Sequence, residues 1–218
     1  RQGNLYLWDG QRETVLRKDD VNKQKVLQIP LYDDRYPPRE LLKNGWPERW
    51  AAVAKGNAAD AVAGWSSAPS IWSQDTEGRS FHCQGGDAKD LAWIRYRHFV
   101  PTLTDWDMVE KGDSVASKAQ LVTDFCGYNS YAGTGQWIQA RGAEEIENGE
   151  FWVGDLTLST RVEIASVGEG GQLVLELVEG GIAYQCRIDC KSATAVLLKV
   201  TPDRDVELAS APCGVSGP

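Results

Sequence analysis

The strongest constraint on the fold lies in the last third of the chain, where apolar and polar residues alternate in short runs separated by tight-turn signals. Leu173-Val174-Leu175-Glu176-Leu177-Val178 leads into Gly180-Gly181, a pair that accepts positive φ at both centres of a two-residue hairpin loop. The returning run is Ala183-Tyr184-Gln185-Cys186-Arg187-Ile188-Asp189. A polar turn at Lys191-Ser192 then leads to Ala195-Val196-Leu197-Leu198-Lys199-Val200, closed by Pro202-Asp203. Upstream, Trp152 to Ile164 alternates in the same way, with Leu156, Leu158, Val162 and Ile164 against Thr157, Ser159, Arg161 and Glu163, and Gly168-Glu169-Gly170-Gly171 follows as a turn. Four such runs predict an antiparallel meander whose apolar faces need a second layer to cover them.

The middle third also reads as β. Phe81 to Gln84, Leu91 to Val100 and Leu121 to Asn129 are strand-like runs bounded by Gly, Asp and Pro. Within Leu91–Val100, Trp93, Arg95, Arg97 and Phe99 fall on one face and Ile94, Tyr96, His98 and Val100 on the other. Helix is expected only at Pro38 to Lys43, after Pro37-Pro38, and at Pro47 to Lys55, which places Trp50, Val53 and Ala54 on one side. Ala58 to Gly64 and Gly133 to Gly142 read as loops. The expectation from this pattern is a mainly-β protein forming an antiparallel β-sandwich with long loops and short helices in them.

Composition narrows the function classes. The net charge of −8 opposes nucleic-acid binding, and the one dense basic group, Arg95-Tyr96-Arg97-His98, is too short to track a phosphate backbone. No apolar run approaches the roughly 20 residues of a membrane-spanning helix. The five cysteines, Cys83, Cys126, Cys186, Cys190 and Cys213, form no C-x-x-C pairs, and with only two histidines a zinc site is not expected. Four strand steps set Cys186 and Cys190 about 13 Å apart, beyond disulfide reach unless the backbone turns between them; small buried thiols are the expectation.

Candidate chemistry is sparse. There is no Gly-x-Ser-x-Gly elbow, and neither His82 nor His98 has an evident Ser or Cys partner in sequence. Glu144, Glu145 and Glu147 read as an acidic loop. No calcium ladder of Asp-x-Asp-x-Asp-Gly type is present. Nine tryptophans are many for 218 residues. Such rings fill the thin core between two sheets, or present faces to sugars. The binding candidates are therefore Trp65 and Trp72 for ring stacking and Arg95 and Arg97 for polar recognition. No catalytic residue, metal ligand or cofactor is expected.

Several segments together resemble the long insert of one group of bacterial type I signal peptidases. Leu121-Val122-Thr123-Asp124-Phe125-Cys126-Gly127-Tyr128-Asn129 is similar to an "ITDFYAYN" segment, and Phe151-Trp152-Val153-Gly154-Asp155-Leu156-Thr157-Leu158 to "WVGDLALE". Leu173 to Gly181 resembles "LLLELVEGG", and Tyr184 to Asp189 resembles "FRCRID". Trp93-Ile94-Arg95-Tyr96-Arg97-His98-Phe99 resembles "WLRYRHF", and Gly3 to Leu7 resembles the "GDIYI" strand after the lysine box. The match covers most of the sequence and is poorest over Ala51 to Ser80.

This resemblance implies a serine endopeptidase with a Ser nucleophile and a Lys general base, which removes signal peptides from exported preproteins at the periplasmic face of the inner membrane. No catalytic residue carries over. Met108 follows Asp107 rather than Ser, no lysine stands in a Lys-Arg-x-x-Gly box, and Gly154-Asp155 with Ser159 and Arg161 lacks the Asn and Asp of the late box. The sequence opens at Arg1 inside a strand pattern and stops at Gly217-Pro218, so it is expected to be part of a larger protein that supplies the dyad and the membrane anchor. Residues 1–36 are expected to belong to a peptidase-type β-core or entry segment, and 37–218 to a lectin- or laminin-G-like sandwich cut short at its C-terminus. Preproteins met through the parent enzyme are the expected partners, with a glycan or protein ligand of the sandwich itself as the alternative.

Overall fold

Antiparallel ladders carry most of the regular structure. The computed structural model describes residues 6–15, 21–26, 28–53, 71–75, 79–83, 91–115, 118–125 and 148–215. The protein divides into two compact units, one over residues 3–152 and one over 153–218. Among the described residues the strands make one four-stranded sheet and four two-stranded ladders. The protein is thus mainly β and antiparallel, with short helices, as expected.

In the first unit, β1 (Tyr6–Trp8) pairs with β2 (Glu13–Val15). Asp9 makes the turn: its Oδ1 accepts from the backbone N–H of Gln11 at 2.9 Å and of Arg12 at 2.7 Å. After α1 (Val21–Val26) and α2 (Arg39–Lys43) comes β3 (Trp50–Val53), which pairs with β6 (Trp93–Tyr96). β4 (Trp72–Asp75) and β5 (Ser80–Cys83) form a hairpin. α3 (Leu103–Lys111) follows, then β7 (Thr123–Phe125) against β8 (Asn148–Trp152).

Two helix expectations are corrected. The stretch from Pro47 is not a helix: Trp50–Val53 is a strand, with Trp50 opposite Tyr96 and Val53 opposite Trp93. The helical preference of Ala51 and Ala52 is small, whereas the ladder adds a Trp50–Tyr96 ring contact at 5.1 Å, so tertiary pairing wins. Conversely, α3 was not anticipated. It is capped by a reciprocal box in which Thr102 Oγ1 accepts from Asp105 N–H at 3.2 Å while Asp105 Oδ2 accepts from Thr102 N–H at 2.6 Å. Gly112, at φ +76°, ends it in the left-handed region.

The core of this unit is small. Leu41, Trp46, Phe99 and Val115 are buried together, with Leu42, Met108 and Val109 packed against them. Trp46 meets the Phe99 ring edge-to-face at 6.2 Å. Gly45, at φ +91°, turns the backbone from α2 into this core, and a Cβ there would lie 3.1 Å from Ser114 Oγ.

The second unit holds the meander β9 (Gln172–Glu179), β10 (Ile182–Asp189), β11 (Thr194–Val200) and β12 (Asp205–Pro212), in spatial order β12-β11-β10-β9. Gly180 and Gly181 adopt φ +56° and +80°, the left-handed pair that their hairpin loop requires. At the next turn Asp189 Oδ1 accepts from the N–H groups of Lys191 (2.9 Å) and Ser192 (2.8 Å). The meander has its four strands, but not the four anticipated. Residues 153–164 join no ladder, although their alternation reads as a strand, and Asp205–Pro212 completes the sheet after the Pro202-Asp203 turn instead. Alternation marks a segment that can pair; the turn at 201–204 returns the backbone directly alongside β11, which decides which segment does.

A polar line crosses one face of this sheet. Gln185 Nε2 donates to Glu176 Oε2 at 2.6 Å, Arg187 Nε donates to Gln185 Oε1 at 2.8 Å, and Arg187 Nη2 donates to Asp205 at 2.9 Å. Gln185 is buried, so these partners satisfy an amide that water does not reach. Cys83, Cys186, Cys190 and Cys213 are free thiols, with Cys190 buried; Cys126 lies outside the described residues.

Candidate functional site

The β3–β6 ladder ends in a concentration of aromatic and basic groups. Its hydrogen bonding runs one step past the strands, where Arg97 N–H donates to Arg49 C=O at 2.7 Å, so Arg49 and Tyr96 are held beside each other. The two faces expected for the Leu91–Val100 run are present. On one, Arg95 stacks over Trp93 (4.7 Å to the ring centre) and Arg97 over Phe99 (5.3 Å). On the other, Tyr96 OH lies 3.2 Å from His98 Nδ1.

Arg49 is the centre of this second face. It is buried, at 9% exposure, with its guanidinium carbon 4.5 Å above the Tyr32 ring. Nη1 donates to Tyr96 OH at 3.3 Å, whereas Nε has no hydrogen-bond partner. A Tyr96 oxygen that accepts from Arg49 still carries its own proton, which it can offer to His98 Nδ1. Burial, reinforced by the Arg49 charge, holds His98 below the ordinary histidine range. Tyr32 donates to Asp34 Oδ1 at 2.7 Å, and burial together with that bond pushes its phenol above the usual tyrosine value. Asp33 is engaged by the fork of Arg35 (2.7 Å), whose hydrogen bonds depress it to about 2.

An open cleft of about 280 Å³ lies at Arg49 and Tyr32, lined further by Pro30, Leu31, Asp33, Tyr36, Pro38 and Pro101. Its walls are mostly apolar, and Arg49 supplies its buried charge.

The residues nominated from sequence stand apart from this cleft. Trp72 is half-buried and its Nε1 donates to Ala92 C=O at 3.0 Å. Arg95 and Arg97 lie on the side of the 93–99 run opposite Tyr96 and His98, and Trp65 lies outside the described residues. Sequence reasoning missed Arg49 and Tyr32: the segment of Arg49 reads as a helix, and nothing near Tyr32 marks it as a partner. It also missed a Ser–His contact: Ser80 Oγ and His82 Nε2 are 3.0 Å apart. They are neighbours two residues apart on one face of β5, exposed at a hairpin, where no enclosed site excludes water.

Among the described residues no group of three or more His, Cys, Asp or Glu side chains converges as a metal site, and no helix is long and apolar enough to cross a membrane. No protein-family model, no curated protein and no solved structure matches the sequence.

Proposed function

We propose that this protein is a non-catalytic recognition module of a type I signal peptidase, an insert on the extracytoplasmic face of the inner membrane. It shapes access to the groove of a Ser/Lys endopeptidase that removes signal peptides from exported proteins. The dyad and the membrane anchor belong to parts of the parent outside the 218 residues. In this reading the antiparallel sheets are layers of a laminin-G-like or jelly-roll sandwich, supported by the apolar face that Leu175, Cys186, Leu197 and Ala209 share across β9–β12.

One observation carries the reading. The Trp93–Phe99 run, among the segments that resemble the peptidase insert, is also the run that supplies Tyr96 and His98 beside the Arg49 cleft. The segment that suggests the family therefore helps build a site suited to binding. The test is to excise residues 37–218 from the full-length parent and measure cleavage of a panel of preproteins. Altered rates or altered substrate preference are expected; unchanged cleavage of every preprotein removes the access role. A binding module independent of any peptidase is the second reading, and the proline walls and arginine of the cleft favour a protein ligand over a glycan.

A further inference from the structure

Arg49 is a buried cation with an unmatched donor, its enclosed Nε. A guanidinium taken out of water needs compensating charge or a full set of acceptors. Here Nη1 has one neutral acceptor at 3.3 Å, Nε has none, and among the described residues no carboxylate lies within ion-pair distance of the group. The acids of the segment that carries Tyr32 make their hydrogen bonds to other groups. Asp34 accepts from the Tyr32 hydroxyl, and Asp33 receives the Arg35 fork. The Tyr32 ring face helps hold the cation without neutralising it.

The surroundings define what would complete the site. Arginine's planar fork matches the two oxygens of a carboxylate. Pro30, Pro38, Pro101, Leu31 and the two tyrosines offer stiff apolar walls of the kind that grip proline-rich or extended peptide backbone. The volume of about 280 Å³ suits a residue or two rather than an oligosaccharide. A phosphate dianion would find only one cation among the residues that line the cleft, Arg49.

On the reading of this cleft as the module's binding site, we propose that it takes the carboxylate of a short, extended, apolar or proline-containing peptide segment. Arg49 receives the carboxylate and the Tyr32–Tyr36 and proline walls hold the residues beside it. The carboxylate comes from the C-terminus of the bound peptide or from an acidic side group within it, and the assay separates the two.

The full 218-residue protein is titrated by calorimetry with three probes: acetyl-Pro-Pro-Ala bearing a free C-terminal carboxylate, acetyl-Pro-Pro-Glu carboxamide, and acetyl-Pro-Pro-Ala carboxamide. At least one acidic probe is expected to bind about tenfold or more tighter than the neutral one, the range for a hydrogen bond to a charged group. Which of the two does so identifies the source. Arg49→Lys keeps the charge and loses the fork, and is expected to erase most of that difference. Tyr36→Ala removes a wall residue that is 79% exposed and so leaves the fold intact; it is expected to weaken all three probes. Equal binding of acidic and neutral probes, no binding at millimolar concentration, or inorganic phosphate binding as tightly as the acidic peptides would each overturn the assignment. If excision of residues 37–218 changes preprotein cleavage while Arg49→Lys and Tyr36→Ala in the full-length parent do not, the module reading stands and the peptide cleft falls.

Discussion

Phe99→Ala is the sharpest probe of how the first unit is held together. Phe99 is 2% exposed, meets Trp46 edge-to-face at 6.2 Å, and shares its core with the fully buried Leu41. Truncating a buried Phe to Ala costs about 3–5 kcal/mol through lost transfer energy and the cavity left behind. The lost aromatic pair adds about 0.5–1.5 kcal/mol, which places this site in the upper half of that range. The cluster is small, so few neighbours can collapse into the space. With a urea dependence of about 2 kcal/mol per molar, the midpoint of the first unit falls by roughly 2 M. The assay is urea unfolding followed by tryptophan fluorescence and far-UV circular dichroism. Phe99→Leu serves as a more conservative comparison and loses about 1–2 kcal/mol. A Phe99→Ala midpoint within about 0.5 M of the parent protein, at unchanged slope, would refute the view that this cluster is the core.

Three further outcomes follow from the geometry. Gln185→Leu removes the amide that Glu176 and Arg187 share, and is expected to cost about 1–3 kcal/mol, read as earlier loss of amide protection in β9 and β10. His98 is held below its ordinary value, so as pH falls through about 6.5 the unfolded state takes up a proton before the folded one does. Stability is therefore full above that pH and is lost as the pH drops from the unfolded toward the folded pKa. His98→Gln should flatten this part of the urea-midpoint profile, and identical slopes for the two proteins would contradict the burial described for His98. Thr102→Ala removes both the cap acceptor and the hydroxyl that donates to Asp105 Oδ2, and is expected to cost about 1 kcal/mol, visible as a lower thermal midpoint and faster amide exchange in the first turn of α3.

Preprotein processing and peptide binding test different levels of the same molecule. The first tests the proposed place in a signal peptidase, the second one buried cation and its walls. A surface arginine would say little about ligands, because such groups pair weakly and are hydrated. Arg49 is informative because burial makes its missing acceptors costly.

Much of the local structure was legible in residue order. Gly180-Gly181 specifies a tight hairpin because only glycine adopts positive φ at both positions without strain, and the runs on either side alternate with period two. The alternation through Trp93–Phe99 assigned Tyr96 and His98 to one face and Arg95 and Arg97 to the other. Pro38–Lys43 reads as a short helix, and α2 forms there over Arg39–Lys43 with Pro38 at its N-cap. What residue order left open is partnership. Residues 153–164 and 205–212 both alternate, yet only the latter reaches a free edge of the sheet, because the turn at Thr201–Arg204 folds it back at once. Trp50–Val53 has apolar residues that fit a helix or a strand, and the presence of Trp93–Tyr96 across the ladder settles the choice. Arg49 belongs to the same class. Alone in sequence it is one basic residue among 23. The ladder, the Tyr32 ring and the proline walls come from distant segments, and only their convergence buries the charge and gives it a role.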